Sequence, residues 1–252
     1  MKRCLRAVGG RDGGWRPRIT GRRRSCTPVG GLVGVQHESP LPQRPALWKA
    51  RAACSHNSSL MLIIAVTSQQ LEAELAAGAV ACPDCGERLL RWGFGRSREV
   101  RMAQGTRQLT PRRTICAGCQ TTHVLCPAWS LPRRRDAAAV IGQALALAAG
   151  GQGHRPIAAR LGRPPATVRG WLRAARARAP CLRACASRWA YALDPCQGPV
   201  TPAGSELGDA IEAIMLAARA WVLRFGPART TAWERAVWLT GGLLSGPTRA
   251  PP

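Results

Sequence analysis

Hydrophobic residues recur at intervals of three or four positions through much of the chain beyond residue 136. This period predicts amphipathic helices, because residues at these spacings share one helix face. The pattern is strongest in residues 136–150 and 205–227, and Gly226-Pro227 ends the second segment. Thr231 and Glu234 fit a capping box that begins a last helix over 231–242. The apolar positions of the two strongest segments are Val140, Ile141, Ala144, Leu145 and Ala148, then Leu207, Ile211, Ile214, Ala218, Trp221 and Phe225.

Before residue 130 the pattern is different. Residues 60–66, LMLIIAV, form a strand-like run, and residues 68–78 predict a short helix with Ser68 as N-cap and Gly78 as C-cap. The stretches RLLRWGF, SREVRMA and RQLTPRRTI then alternate large apolar residues with arginine, which predicts a three-stranded β-arm. Residues 180–204 predict a linker that contains one short helical turn.

Residues 1–60 have neither a helical nor a strand period. They are rich in Arg, Gly, Pro and Ser and contain few large apolar residues, so we expect this segment to be disordered. Since order is predicted to begin abruptly at Met61, one hypothesis is that Met61 is the true start and that residues 1–60 are a mis-assigned extension. The alternative is a basic tail that adds nonspecific affinity for nucleic acid.

Net charge narrows the choice of partner. The chain has 37 basic and 13 acidic residues, a formal net charge of +24, and its only lysines are Lys2 and Lys49. Such an excess favours a polyanionic partner, nucleic acid before an anionic membrane, although a GC-rich coding sequence would also enrich arginine. No run reaches the roughly 20 apolar residues of a membrane-spanning helix and no secretory signal is recognisable. We therefore expect a cytoplasmic protein without a membrane partner.

Two C-x-x-C pairs are the sharpest chemical signal. Cys82, Cys85, Cys116 and Cys119 supply four sulfurs, enough for a tetrahedral zinc site, and Gly86 and Gly118 permit the tight turns such pairs need. The 30-residue spacer is long, and the β-arm accounts for it, which predicts a zinc ribbon. A redox dithiol or chance are the alternatives. His123 and Cys126 could replace a ligand but more readily occupy strand positions, and Cys181, Cys185 and Cys196 are interpreted as incidental thiols.

Residues 154–173, HRPIAARLGRPPATVRGWLR, fit a helix-turn-helix. Gly162 marks the turn, Ala158 allows close crossing, and Pro156 can begin the first helix. The positions predicted to face inward are Ile157, Leu161, Val168 and Trp171, with residues 136–150 as the supporting helix. Pro164-Pro165 removes the usual capping side chain, and Gly170 weakens the second helix.

The outward residues of this unit are candidates for contact with double-stranded DNA. Arg169 and Arg173 would face base edges in the major groove. A second set is better placed for phosphates or the minor groove: Arg155, Arg160, Arg163 and Thr167, with Arg133, Arg134 and Arg135 in the PRRRD run. The alternative is a solvated basic face on helices that only pack.

The cysteine segments and the helix-turn-helix segment together resemble those of a known class of proteins. The segments CPDCG, RWGFGRSREVR and RRTICAGCQTTHVLCP, followed by GHRPIAARLGRPPATVRGWLR, resemble the N-terminal DNA-binding half of insertion-sequence transposases, and also bacterial helix-turn-helix domain-containing proteins with the same ribbon. The resemblance covers about residues 61–180. It implies that the four cysteines bind zinc and that residues 154–173 contact DNA.

No catalytic domain is expected. The transposase reaction needs a carboxylate triad on a long alternating α/β domain, whereas only 72 residues follow residue 180 and they predict helices. Asp209 and Glu212 are explained as acids at a helix N-terminus. The expectation is therefore a non-enzymatic regulator or transposase-derived DNA binder. The alternative is a zinc-ribbon adaptor that binds protein or RNA.

The predicted fold is a small β zinc ribbon over 82–130, preceded by a strand and short helix over 61–81. A mainly α helix-turn-helix domain over 136–179, a linker over 180–204 and a helical C-terminal region over 205–244 follow. The apolar stripe of 205–225 has two interpretations: packing onto the helix-turn-helix unit, or the seam of a homodimer.

Overall fold

The computed structural model describes residues 61–64, 67–226, 230–242 and 244, so the predictions for residues 1–60 lie outside the described residues. In this part of the chain a mixed β-sheet region is followed by a run of helices, as the pattern predicts. The strands are β1 (Met61–Ile64), β2 (Leu89–Phe94), β3 (Arg98–Arg101), β4 (Thr106–Leu109), β5 (Arg112–Cys116) and β6 (Thr122–Pro127). The helices are α1 (Ser68–Ala76), α2 (Ala138–Ala149), α3 (His154–Leu161), α4 (Pro165–Arg176), α5 (Ala179–Leu193), α6 (Glu206–Phe225) and α7 (Ala232–Leu239).

The main sheet has four strands in the order β1-β6-β5-β2. β5 pairs with both β2 and β6 in antiparallel fashion, whereas β1 pairs with β6 in parallel. β3 and β4 form a separate antiparallel hairpin between β2 and β5. The three stretches predicted as one β-arm are therefore divided: SREVRMA contributes β3 to the hairpin and not to the main sheet.

Each face of the main sheet has its own apolar cluster. Leu89, Cys116 and Leu125 pack with Leu71 and Leu75 of α1. Ile63 and Cys126, on the opposite face, join the larger core formed by the helices. This second face packs against the helical part through residues of β1 and β6.

Helices α2, α3 and α4 pack around residues predicted to face inward. Val140, Ile141, Ala144 and Leu145 of α2 are buried, as are Ile157, Ala158, Val168 and Trp171 of α3 and α4. α3 ends at Gly162, whose φ of 60° is left-handed, and α4 begins three residues later with Pro165 in its first turn. No capping side chain is present at that start, as the two prolines predict.

Residues 180–204 contain much more helix than the sequence predicts. A helical turn was expected, but α5 has 15 residues and buries Leu182, Cys185, Ala186, Ala190 and Leu193. These positions recur at helical spacing, and Pro180 lies in the first turn, where a missing N–H costs nothing. Only the part after Leu193 connects α5 to α6.

The apolar stripe of α6 packs against the other helices of the chain. Leu207, Ile211, Ile214 and Ala218 are all buried in the helical core, with α5 as the principal neighbour. These positions of the stripe are therefore packed within the chain, whereas Trp221 and Phe225 are half-buried, and a homodimer through 205–225 stays a prediction.

Both cap residues of α1 lie one position before those that the sequence predicts. Thr67, and not Ser68, is the N-cap, and it forms a capping box with Gln70. The C-cap is Ala77, with Gly78 following at a φ of 68°. The capping box of Thr231 and Glu234 that begins α7 is confirmed.

None of the helices in the described part of the chain is long and apolar enough to cross a bilayer.

Candidate functional site

The four cysteines of the two C-x-x-C pairs come together beside the main sheet. Cys82 and Cys85 lie in the turn that precedes β2, while Cys116 ends β5 and Cys119 lies in the turn toward β6. Their sulfur atoms all lie within 4.8 Å of one another. The Sγ atoms of Cys82 and Cys119 are 3.7 Å apart, and those of Cys85 and Cys116 are 3.2 Å apart. The antiparallel pairing of β2 with β5, which aligns Leu89 with Cys116, holds the two turns side by side.

Backbone groups in these turns support sulfur as an electron-rich ligand. The N–H groups of Gly118 and Cys119 both point at Cys116 Sγ, at 3.3 and 3.4 Å. In the other turn, Gly86 donates to the carbonyl of Cys82 at 3.0 Å and adopts a φ of 85°. Gly118 serves a different purpose, because a Cβ there would lie 2.7 Å from the Glu87 side chain. Both glycines thus have a role, one through its backbone angle and one through the space it leaves.

The thiols of the cluster differ in acidity. Hydrogen bonds with the side chain and then the backbone of Thr121 lower the pKa of Cys119 to about 6. Burial raises the pKa of Cys82 to about 12, so this thiol would keep its proton unless a cation replaced it. A divalent metal ion does this, because thiolates are the form that binds. Tetrahedral zinc with Zn–S distances of about 2.3 Å would place sulfurs roughly 3.8 Å apart. Cys82 and Cys119 match this separation at 3.7 Å, whereas Cys85 and Cys116, at 3.2 Å, would have to move apart to hold the ion. The donor set therefore fits a metal ion.

His123 lies at the edge of this cluster. Its ring is buried on β6, with Nε2 3.5 Å from Cys82 Sγ, and its Nδ1 has no hydrogen-bond partner among the described residues. Burial lowers the pKa of His123, while the nearby Asp84 carboxylate opposes that shift. Cys82, Asp84 and His123 form a second close group of potential ligands. Cys126, the other residue considered as a substitute ligand, instead points into the helical core with its Sγ 3.8 Å from Met61 Sδ.

The pair α3–α4 presents arginines on the side opposite its buried face. Arg169 and Arg173 of α4 are exposed one helical turn apart, and Arg176 continues the same row. Sequence interpretation missed Arg176, although its spacing of seven from Arg169 places it on the same face. Of the predicted phosphate and minor-groove residues, Arg155, Arg160, Arg133 and Arg135 are exposed, and Arg134 and Thr167 are half-buried.

Arg163 has a different environment from the one its position in sequence suggested. Its Nε atom lies 2.6 Å from Oδ1 of the buried Asp136, and its terminal nitrogen donates to the carbonyl of Met102 at 2.7 Å. Arg101 contacts the other oxygen of Asp136, also at 2.6 Å. We therefore withdraw Arg163 from the candidate phosphate contacts, because its guanidinium is committed to joining the β3–β4 hairpin to the turn after α3.

Comparison with known proteins finds a family-model match over part of this site. Residues 82–160 match the family model described as "Domain of unknown function (DUF6431)". The matched segment begins at the first cysteine of the cluster and runs through β2–β6, α2 and most of α3. No curated protein matches the chain, and no solved structure does.

Proposed function

We propose that this protein is a zinc-containing helix-turn-helix protein that binds double-stranded DNA without catalysis. It would act as a transcriptional regulator or as a transposase-derived DNA binder, in keeping with the resemblance of residues 61–180 to the DNA-binding half of transposases. In this proposal α4 is the recognition helix and α2 and α3 support it.

One observation carries the proposal of DNA binding. Residues 137–193 contain nine arginines and no aspartate or glutamate. α4 buries Val168, Trp171 and Leu172 and exposes Arg169, Arg173 and Arg176. A helix with one face packed and the other lined by arginines that form no ion pair with a described residue suits the major groove, where arginine donates two hydrogen bonds to guanine.

The metal in the proposal is structural zinc. Four sulfurs leave no coordination position for a substrate, so the ion would stabilise the sheet and take no part in a reaction. Cys82, Cys85, Cys116 and Cys119 would hold it, with the Gly118 and Cys119 N–H groups donating to one of the thiolates.

Asp209, near the start of α6, has a structural role that supports a non-enzymatic interpretation. Asp209 accepts a hydrogen bond from the N–H of Ala203 at 2.7 Å and pairs with Arg183 at 3.1 Å. Ser205 caps the same helix through the N–H of Gly208. These contacts fix the entry of the chain into α6.

The test is a selection from random duplex DNA with the zinc-loaded full-length protein at about 150 mM salt, which suppresses nonspecific phosphate binding. We expect an enriched sequence, and we expect Arg169→Ala to relax the preference at one position at a cost of about 1–3 kcal/mol. Arg219→Ala is the matched control, because Arg219 is an exposed arginine on α6. An unenriched pool from protein with intact zinc would contradict sequence-specific binding and favour the adaptor that binds RNA or protein.

A further inference from the structure

The main sheet has an unusual concentration of exposed apolar side chains at its free edge. Five large hydrophobic residues are exposed in the described part of the chain, and three of them are in β2: Leu90, Trp92 and Phe94. Trp92 is 55% exposed and Phe94 is 62% exposed. β2 is the last strand of the main sheet and pairs only with β5, so these side chains stand at an open edge.

An irregularity in the pairing points Trp92 outward. Arg91 lies opposite Thr114 and Phe94 lies opposite Arg112, so Trp92 and Gly93 together face the single residue Arg113. Gly93 has a φ of 98°, which fits a bulge that needs a left-handed residue. Bulges re-aim a neighbouring side chain, and here an exposed indole is placed beside an exposed guanidinium.

Phe94 also lies against an arginine. The Arg112 guanidinium carbon is 4.3 Å from the centre of the Phe94 ring, and the same side chain is anchored to Glu72 at 3.0 Å. The ring edge remains open to solvent while its position is fixed from one side. Phe94 and Arg112 lie on the α1 side of the sheet, whereas Leu90, Trp92 and Arg113 lie on the other side, so each face of this edge combines an exposed aromatic ring with an arginine.

The excess of arginine around this edge restricts the chemistry of a binding partner. Residues 88–116, which include β2 to β5, contain eight arginines and one acidic residue, Glu99. Four of these arginines have ion-pair or backbone hydrogen-bond partners: Arg91, Arg98, Arg101 and Arg112. The others are exposed, and an apolar protein surface would have to desolvate their guanidinium groups without compensation, which is costly. A polyanion with flat apolar faces satisfies both features, since its phosphates pair with arginine and its bases stack on aromatic rings.

We propose that the face formed by Leu90, Trp92 and Arg113 at this edge is a binding surface for unpaired nucleotides, with Trp92 stacking on a base and Arg113 contacting a phosphate. In a duplex the faces of the bases are covered by their neighbours, so a sheet surface of this kind favours a single strand. This surface lies on the sheet and not on α4. The proposal is therefore independent of the proposed binding of duplex DNA.

The experiment measures binding of a fluorescently labelled oligothymidine of about 12 nucleotides to the full-length, zinc-loaded protein at about 150 mM salt by anisotropy. Stacking on one aromatic residue contributes roughly 1–3 kcal/mol, so we expect Trp92→Ala to weaken binding about 5- to 150-fold and Trp92→Phe to recover most of it. Tyr191→Ala is the matched control, because Tyr191 is an exposed aromatic residue on α5. We expect Tyr191→Ala to bind like the wild type.

A second set of binding measurements tests whether this surface acts separately from the proposed duplex site on α4. Arg169→Ala combined with Arg173→Ala should reduce duplex binding and leave oligothymidine binding unchanged, whereas Trp92→Ala should do the reverse. Zinc content and thermal unfolding of Trp92→Ala should match the wild type, because the indole is exposed. Wild-type protein that does not bind oligothymidine, or equal binding by Trp92→Ala and Tyr191→Ala, would overturn the proposal and leave this edge as a surface for a protein partner.

Discussion

Asp136 links three parts of the structure through one carboxylate. Its side chain is 3% exposed, yet it lies 2.6 Å from guanidinium nitrogens of both Arg101 and Arg163. The neighbouring backbone joins the same network, because Arg101 donates to the Arg135 carbonyl and accepts from the N–H of Ala137. The end of β3, the start of α2 and the turn between α3 and α4 therefore meet at this residue.

Replacing Asp136 by asparagine should strongly destabilise the fold. The substitution preserves the shape but leaves two guanidinium groups without a counter-charge, and that of Arg163 is largely buried. Loss of one partner from a buried ion pair costs about 3–5 kcal/mol, and we expect about 3 here because Arg101 is partly exposed. Urea denaturation measures the difference.

Arg183→Ala is the control for Asp136→Asn. This arginine pairs with Asp209 at 3.1 Å but is half-exposed, so its loss should cost less than about 1 kcal/mol. Equal unfolding free energies for the two variants would show that Asp136 is not the electrostatic junction described above.

Cys116→Ser should remove the metal. Cys116 is fully buried, and its Sγ accepts two backbone N–H groups and lies 3.2 Å from Cys85 Sγ. A serine hydroxyl is a poor substitute for thiolate, and we expect a loss of affinity greater than the roughly 10- to 100-fold caused by losing an outer-sphere partner. Native mass spectrometry of protein prepared with zinc reports the ion directly.

Cys126→Ala tests whether the metal loss is specific to the cluster. Cys126 is equally buried but faces the helical core beside Met61, so this variant should keep its zinc even if its stability falls. Zinc retained by Cys116→Ser, or lost from Cys126→Ala, would contradict the assignment of the four ligands.

These residues also show what spacing along a sequence can and cannot predict. The convergence of Cys82, Cys85, Cys116 and Cys119 was predictable, because each pair is local and metal chemistry explains why two pairs should meet. The contact of Arg163 with Asp136 was not, because 27 residues separate the two and arginines are abundant here. Its burial and its contacts with Asp136 and the Met102 carbonyl distinguish this arginine from those that face solvent.

At the scale of elements, two helical glycines have opposite surroundings. A Cβ on Gly142 of α2 would lie 2.0 Å from the ring of Trp233, so this glycine lets α7 pack closely on α2. A Cβ on Gly170 of α4 would meet no atom within 4 Å. The two sites therefore separate the packing role of glycine from its cost to helix propensity.

Gly142→Ala and Gly170→Ala should change stability in opposite directions. The first forces Trp233 aside and should cost about 1–3 kcal/mol through overpacking. The second removes an unfavourable helix residue and should add up to about 1 kcal/mol. Thermal unfolding of both variants by circular dichroism provides the comparison, and a destabilised Gly170→Ala would indicate a close contact at that point of α4.

The elements that sequence analysis predicted well have a clear period and defined ends. α6 and α7 follow this rule, with Ser205 and Thr231 as capping residues. α5 does not, since Pro180 and two cysteines obscure the repeat of Leu182, Ala186 and Ala190, and the helix is stabilised by packing on α6. The separate β3–β4 hairpin was missed for a similar reason: alternation identifies a strand but does not identify the strand with which it pairs.

For the molecule as a whole, charge is distributed unevenly. Acidic residues are present in the segments around α1 and α6, whereas residues 137–193 contain none. The net positive charge of the described part is therefore concentrated on the helices proposed to contact duplex DNA and on the hairpin and sheet edge. A polyanion would be attracted to these surfaces before any base is read.

This distribution predicts how duplex affinity responds to salt. Each phosphate neutralised by a side chain adds about 0.9 to the slope of log affinity against log salt, so the double variant Arg155→Ala, Arg160→Ala should reduce the slope by about 2. The loss should be uniform across DNA sequences, since phosphate contacts carry no sequence information.

Arg169→Ala should instead alter the preferred sequence, and Arg219→Ala should change neither property. Anisotropy titrations of the selected duplex and a scrambled duplex over a range of salt concentrations measure both quantities. A slope that is the same in the double variant and the wild type would remove α3 from the proposed interface and confine phosphate binding to other arginines.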